Sequence, residues 1–330
     1  MTESAASSGG MAWRSGAAVA EQRRAVPDLR RQLQLVLAAV WLLDAVLQYQ
    51  SFMFTKAFAQ MLGGTAAGNP ALIADPITWS ARLAGNHVVL LNAIFATIQL
   101  LLGLGIAWRP TVRIALGASI IWALAVWWLG EGLGGILTGG ASPVNGAPGA
   151  VIIYALLAVL LWPVARERPA SFVAGRAVGA HAARAAWLIL WGSLAYFALT
   201  PASRAPQATS SMISGIASGE PGWLAWIDNH AASALSHDGL AVSVVLASAI
   251  VVVAVGVFLR PPAARATLVL ALVLAAAIWL AEGLGGILTG SGTDPNSGPL
   301  LALLAIAYWP VATAVSGQAA TPAPVPTGER

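Results

Sequence analysis

The chain contains no cysteine and very little charge. Without cysteine it cannot form a disulfide, hold an iron–sulfur cluster through thiolates or run a thiol relay of its own. Only 9% of its 330 residues are Asp, Glu, Lys or Arg, against about 25% in soluble domains, so charge is too scarce to cover a water-exposed surface. A basic stripe interleaved with aromatics, a Gly-rich phosphate loop, a Ser/His/Asp arrangement and a haem-attachment motif are also missing. These absences argue against nucleic-acid binding and against an ATPase or hydrolase.

Long apolar runs dominate what remains. Hydrophobic residues make up 58% of the chain, and the mean hydropathy is +0.76. The runs that are nearly free of charge cover residues 88–108, 114–129, 241–259 and 266–280. A helix of about 20 apolar residues matches the roughly 30 Å hydrocarbon core of a bilayer. We therefore predict an all-α polytopic membrane protein that has the lipid bilayer as a partner.

A nine-residue segment occurs twice, letter for letter. The sequence Glu-Gly-Leu-Gly-Gly-Ile-Leu-Thr-Gly at 131–139 recurs at 282–290, which is an offset of 151 positions. The same offset brings the Arg-Pro pair at 109–110 onto that at 260–261. An identical match of this composition does not arise by chance, so we predict a tandem duplication.

The hydropathy pattern predicts eight transmembrane helices, arranged as two parallel four-helix repeats. The predicted parts are a disordered cytoplasmic leader (1–32), a first four-helix membrane repeat (33–165), a cytoplasmic junction (166–184), a second four-helix membrane repeat (185–315) and a disordered tail (316–330). Long loops at 55–86 and 200–238 connect the first two spans of each repeat. Arginines gather in the leader, the short turns and the junction, which predicts a bacterial plasma (inner) membrane protein with both termini in the cytoplasm.

Two acids, Glu131 and Glu282, stand at the ends of apolar runs and are followed at once by glycines. Residue 131 lies 17 residues after the start of its run, roughly 25 Å along a helix, so both carboxylates are expected near the outer membrane boundary. In the functional interpretation the pair faces the interface between the repeats, with Trp128 and Trp279 beside it, and binds a proton, a cation or a quinoid or hydroxylated ligand. In the structural interpretation the glycines permit tight packing and each acid bonds to backbone or water. The sequence leaves both open.

A further acid, Asp44, falls close to the middle of the first span. If Trp41 matches Trp191, its counterpart in the second repeat is Leu194. Desolvation disfavours the charged form, so we expect Asp44 to be protonated. It is then either a ligand or proton-relay residue or a hydrogen-bond donor between helices. Three glutamines are candidates for the same polar seam, namely Gln48, Gln50 and Gln99.

The histidines provide only weak metal candidates. These are His87, His230 and His237, together with Asp238, all expected on the outer face. Their spacing matches no established metal signature. Capping of helix starts at the membrane interface is the favoured interpretation. No catalytic residue is predicted.

The order of elements in each repeat resembles a known family. Each has a first span, a long outer loop and a second span that ends in an Arg-Pro turn, written Leu-Gly-Leu-Gly-Ile-Ala-Trp-Arg-Pro at 102–110 and Val-Gly-Val-Phe-Leu-Arg-Pro at 255–261. A third span follows directly. This pattern resembles the DoxX/DoxD-like four-helix integral membrane unit. The resemblance implies a redox-associated subunit with a membrane or extracytoplasmic oxidoreductase as its partner and a quinone as a possible ligand.

Three functions follow as hypotheses. The first is a redox-associated subunit with a quinone- or proton-binding site near the outer leaflet, between the two repeats. The second is a transporter or channel in which the paired glutamates bind a cation or proton. The third is a structural membrane subunit in which the motif only packs helices.

Overall fold

The computed structural model describes residues 28–311, and this part of the chain is helical and contains no β-strand. The helices in chain order are α1 (Leu29–Leu47), α2 (Lys56–Gly64), α3 (Ala71–Asn86), α4 (Val88–Ala107), α5 (Val112–Leu129), α6 (Ala150–Leu160), α7 (Val173–Val178), α8 (Ala180–Ala198), α9 (Pro201–Arg204), α10 (Ala208–Ala217), α11 (Gly222–Ala234), α12 (Gly239–Gly256), α13 (Pro261–Ala281) and α14 (Ser297–Ala307). Most of the predicted leader and all of the predicted tail lie outside the described residues. The last residues of that leader belong to α1.

Four helices, α4, α5, α12 and α13, are long and apolar enough to cross a membrane. Only 28–39% of their most apolar stretches is buried inside the protein, so most of their apolar surface is available to lipid. The prediction of a polytopic helical membrane protein is confirmed at this level.

Two of the other four predicted spans correspond to helices too short to cross a membrane by themselves. Helices α6 and α14 are apolar but only 11 residues long, about 16 Å at 1.5 Å per residue, and most of their side chains are buried. Each ends shortly before a Trp-Pro pair, where proline disfavours helical backbone in the residue before it. The full set of eight spans therefore stays a prediction.

The short apolar helices form the centre of the bundle. Helix α6 packs on α5 and α14 packs on α13, while α6 and α14 also contact each other. Helix α1 pairs with α4, and α8 pairs with α12. This arrangement buries α6 and α14, and it leaves the longer helices around them.

The long predicted loops are folded rather than irregular. In the segment 55–86, α2 packs against α3, and in the segment 200–238, α10 packs against α11. Each second helix starts directly after a proline, Pro70 or Pro221. The loops are therefore two helical hairpins, and sequence polarity alone did not indicate this.

The predicted junction at 166–184 is also ordered against the core. Phe172 and Val173 are buried, and Arg30 forms an ion pair with Glu167 at 3.0 Å. Gly179, with φ of +97°, separates α7 from α8. As a result α8 begins at residue 180, five residues before the predicted start of the second membrane repeat.

Element bounds recur along the chain. Helices α8, α11 and α12 begin 151 residues after α1, α3 and α4 respectively. Helix α14 begins 147 residues after α6, and both have 11 residues. The offset of the duplicated nonapeptide thus reappears in the placement of helices.

Candidate functional site

Each nonapeptide forms one turn of left-handed backbone at the end of a long helix. In the turn Gly132–Gly135 the φ values run from +56° to +69°, and in Gly283–Gly286 they run from +52° to +70°. The leucines inside the two turns, Leu133 and Leu284, share this conformation. It costs an L-residue roughly 1–2 kcal/mol and glycine almost nothing. Three glycines among four residues therefore explain the Gly-Leu-Gly-Gly sequence.

The loop after each turn packs directly on it. A Cβ built on Gly134 would lie 2.1 Å from the carbonyl oxygen of Pro148. A Cβ on Gly285 would lie 2.5 Å from the carbonyl carbon of Pro295. No side chain fits at either position. We call the end of the bundle that carries the two turns and these loops the motif face.

The motif glutamates bond to the helices that follow these loops. Glu131 Oε1 accepts a hydrogen bond from the backbone N–H of Val151 at 3.2 Å, in the first turn of α6. Glu282 Oε1 accepts one from the hydroxyl of Ser297, the first residue of α14. A carboxylate at a helix start satisfies free N–H groups and complements the helix dipole. One oxygen of each acid thus has the structural role that the sequence left open.

Two cavities open at the motif face. The first, which we call the vestibule, has a volume of about 530 Å³ and lies between the two left-handed turns. The second, the inner pocket, has a volume of about 220 Å³ and lies among α1, α4, α5 and α6. Glu131 and Asp294 line both cavities, so the two acids stand where the vestibule meets the inner pocket.

The inner pocket has aromatic walls and a polar centre. Asp44 Oδ2 accepts a hydrogen bond of 2.7 Å from the Tyr154 hydroxyl, and both groups are buried. The Tyr154 ring lies 4.4 Å from the ring of Trp41, whose indole N–H donates to Ser119 Oγ at 3.0 Å. Trp122 and Phe95 form another wall, with ring centroids 5.6 Å apart.

Several buried polar atoms of residues that line this pocket have no hydrogen-bond partner among the described residues. They are Asp44 Oδ1, Gln48 Oε1, Gln99 Oε1, Glu131 Oε2 and Trp122 Nε1. Leaving a buried donor or acceptor unpaired costs about 1–3 kcal/mol each. Five such atoms around one cavity indicate a site built to hold a molecule or ordered water.

Asp294 enters this site from the second half of the chain. Its carboxylate accepts hydrogen bonds from the Thr293 hydroxyl at 2.8 Å and from the backbone N–H of Asn296 at 2.7 Å. Desolvation raises the pKa of Asp294 above its ordinary value, although the two hydrogen bonds lower it. The residue at the equivalent place before Pro148 is Ala147. An acid without a counterpart beside a duplicated motif is the sequence signal that would have indicated Asp294.

The structure brings together some of the predicted ligand residues and separates others. Asp44 and Glu131 line the inner pocket. Glu282 lines neither cavity and is buried beside the loop that precedes α6, since a Cβ on Gly146 would lie 3.5 Å from its Oε1. Trp128 is 39% exposed on the outside of α5, and Trp279 packs against Gly298. The inner pocket is therefore lined mainly by the first half of the chain, with Thr293 and Asp294 from the second half, and is not shared between the two motif glutamates.

The histidine candidates lie apart from these cavities. His230 Nδ1 is 2.7 Å from the carbonyl oxygen of Trp226, and His237 Nδ1 is 2.7 Å from Ser236 Oγ. His87 and Asp238 are exposed. Among residues 28–311 there is no group of three or more His, Asp or Glu side chains that could hold a metal ion.

A second acidic pair lies on the motif face, in the hairpin of α10 and α11. Asp228 is 2% exposed and faces Glu220, whose Oε1 would lie 2.1 Å from a Cβ on Gly283. Desolvation and the neighbouring Asp228 raise the pKa of Glu220 to about 7. Glu220 therefore keeps its proton to a higher pH than a free carboxylic acid does. The residues 151 positions earlier are Asn69 and Ile77, so the first hairpin lacks such a pair.

Comparison with models of known protein families, with curated proteins and with solved structures finds no match for this chain. The site must therefore be interpreted from its own geometry.

Proposed function

We propose that this protein is a multi-pass membrane transporter that binds its substrate in the inner pocket and exchanges it for protons held by Asp44 and Glu131. On this proposal the chain forms two related four-helix units with eight spans. The motif face is the outer face of a bacterial plasma membrane, and both termini are cytoplasmic. The observation that carries the proposal is the set of unpartnered polar atoms around one cavity.

The duplication supplies an internal comparison. When Trp41 is matched with Trp191 in the first helix of each half, and the other helices are matched by their starts, polar residues of the inner pocket correspond to buried aliphatic residues in the second half. The pairs are Asp44 with Leu194, Gln99 with Ile250 and Tyr154 with Leu301. The second half forms the same helices and the same left-handed turn without these polar groups. Folding therefore does not require them, and this favours a role in ligand binding.

The position of the acids supports a link to protons. Asp44 is buried in the last turn of α1, three residues before Leu47, and its Oδ1 has no partner among the described residues. Intramembrane acids of this kind commonly mark proton or substrate pathways. A substrate that enters from the vestibule meets Glu131 and Asp294 first and Asp44 next, because the first two line both cavities.

A redox-associated role remains a second candidate, in keeping with the resemblance to DoxX/DoxD-like units. The aromatic walls favour it, because the rings of Trp41 and Trp122 offer flat surfaces on which a quinone ring would stack. On that proposal the chain hands a quinone to an oxidoreductase partner and transports nothing. A purely structural role is disfavoured by the unpaired polar atoms of the inner pocket.

The test uses purified protein in liposomes that contain a pH-sensitive dye. Small amines, quinones and polyols are added in turn, and proton movement is followed in the wild type and in Asp44→Leu, which installs the second-half residue. We expect at least one compound to drive proton movement in the wild type and none in the variant. Asn92→Ser is the matched control, since it also installs the second-half residue at a buried polar position but outside the pocket. A quinone that co-purifies, with no compound moving protons, would replace the transporter by the redox role.

A further inference from the structure

Carboxylic acids are the only ionisable side chains, apart from Tyr154, that line the inner pocket and the vestibule. Three acids line the two cavities, Asp44, Glu131 and Asp294, and the lining contains no Lys, Arg or His. The ionisable groups close to Asp44 and Glu131 are Asp294, Glu282 and Tyr154, whose hydroxyl donates to Asp44. None of them is a base. Any ionised carboxylate in this site thus lacks a neutralising partner among the described residues.

The unpaired polar atoms point to the same kind of ligand. Four of the five are oxygen acceptors, and the one donor is the Trp122 indole N–H. The Tyr154 hydroxyl already donates to Asp44. A molecule that pairs with the four oxygens must present hydrogen-bond donors or a positive charge.

The walls are suited to a cation with an apolar body. Trp41, Tyr154, Phe95 and Trp122 line the inner pocket, together with Phe58. The faces of aromatic rings attract ammonium groups, and the attraction grows when water is excluded. An inorganic ion would not use this apolar lining, and a neutral ring would leave the acids unpaired.

From these three features we infer that the ligand of the inner pocket is a monovalent organic cation, such as a protonated amine or a quaternary ammonium with an apolar substituent. The inference rests on the proposed function for the location of the site and adds the chemical class of the substrate. One cation that enters displaces one proton from a buried carboxylic acid, so the exchange is neutral in charge. Protons and the cation compete for the same carboxylates, and binding weakens as the pH falls.

The experiment measures binding of benzyltrimethylammonium to the detergent-solubilised full chain by quenching of tryptophan fluorescence. 1,4-Naphthoquinone serves as the neutral aromatic comparison. We expect saturable binding of the cation at pH 8, weaker by about tenfold or more at pH 5, because protonation removes the Coulomb attraction between the carboxylate and the cation. We also expect a similar loss in Asp44→Asn, which keeps the shape of the side chain and removes its charge. Asp294→Ala, which installs the first-half residue, is a second variant in case the first does not fold, and Asn92→Ser should bind like the wild type.

Two results would overturn the inference in distinguishable ways. If naphthoquinone binds as tightly as the cation and Asp44→Asn makes no difference to the latter, the ligand is neutral and the pocket itself stands. If neither probe binds to the folded wild type, and none of the amines, quinones and polyols moves protons in liposomes, both the inferred substrate class and the proposed transport function are wrong.

Discussion

Gly134→Ala tests whether the loop before α6 is locked onto the left-handed turn. At φ of +63° an alanine costs roughly 1–2 kcal/mol from backbone strain alone. The new methyl group would also lie 2.1 Å from the Pro148 carbonyl oxygen and 2.6 Å from the Gly149 nitrogen. Both are backbone atoms, so the loop has to move, and overpacking of this kind costs about 1–3 kcal/mol more. The expected destabilisation is about 2–5 kcal/mol in total.

Gly139→Ala provides the control. Gly139 has a φ of +77° in the same nonapeptide, but nothing lies within 4 Å of its Cβ position. Only the backbone strain of roughly 1–2 kcal/mol should appear there. The difference between the two variants isolates the contact with Pro148.

Unfolding in mixed micelles with a rising denaturant concentration measures both variants. Trp127 reports on the loop directly, because its indole N–H donates to the Pro148 carbonyl at 2.7 Å, and Gly134→Ala should alter its emission before unfolding begins. Equal destabilisation by the two alanines, with unchanged emission, would show that the loop does not press on the turn. The explanation of the motif by close backbone approach would then be wrong.

Three further predictions concern stability. Ser297→Ala should destabilise the fold by about 1–3 kcal/mol, because it leaves the buried Glu282 without the hydroxyl that donates to it. Chemical denaturation measures this change. An unchanged free energy of unfolding would show that backbone N–H groups suffice as donors to Glu282. Trp41→Phe should cost a similar amount by leaving Ser119 without its partner while the ring still packs on Tyr154, and an unchanged denaturation midpoint would contradict the contact. The pKa of Glu220 is about 7 in the folded protein and about 4.5, its ordinary value, in the unfolded chain. Between these values the folded protein binds the proton more tightly. The contribution of this proton to the free energy of unfolding is therefore complete below about pH 4.5 and is lost as the pH rises through about 7. Thermal unfolding midpoints from pH 5 to pH 8 should therefore fall more steeply in the wild type than in Glu220→Asn, and parallel curves would show that the pKa of Glu220 is not raised by folding.

The sequence indicated several residues that line the inner pocket. The isolated acid Asp44 and the duplicated Glu131 both line the inner pocket, because a carboxylate in an apolar run has few positions where it can be accommodated. The seam glutamines Gln48 and Gln99 line it as well, while Gln50 instead donates to the Gly292 carbonyl at 3.0 Å. Residue type indicated these groups, but the predicted mid-span position of Asp44 differs from the structure, where α1 ends at Leu47 and Asp44 lies in its last turn.

The sequence did not predict how the two halves contribute to the pocket. Symmetry suggested a site shared by Glu131 and Glu282 with a tryptophan beside each, but only Glu131 faces the inner pocket. The duplicated letters fix which residues are equivalent, yet the neighbours that surround them have diverged, as Tyr154 and Leu301 illustrate. Tyr154 reaches Asp44 across 110 residues, and no local pattern encodes that contact.

The sequence by itself determined the membrane class and the duplicated nonapeptide, because hydropathy and repetition are local properties of the chain. Only the tertiary structure decided that α6 and α14 lie buried at the centre, that the long loops are helical hairpins, and that Asp294 from the second half closes the pocket of the first. Those outcomes depend on which helix faces meet, and packing between distant segments sets that choice.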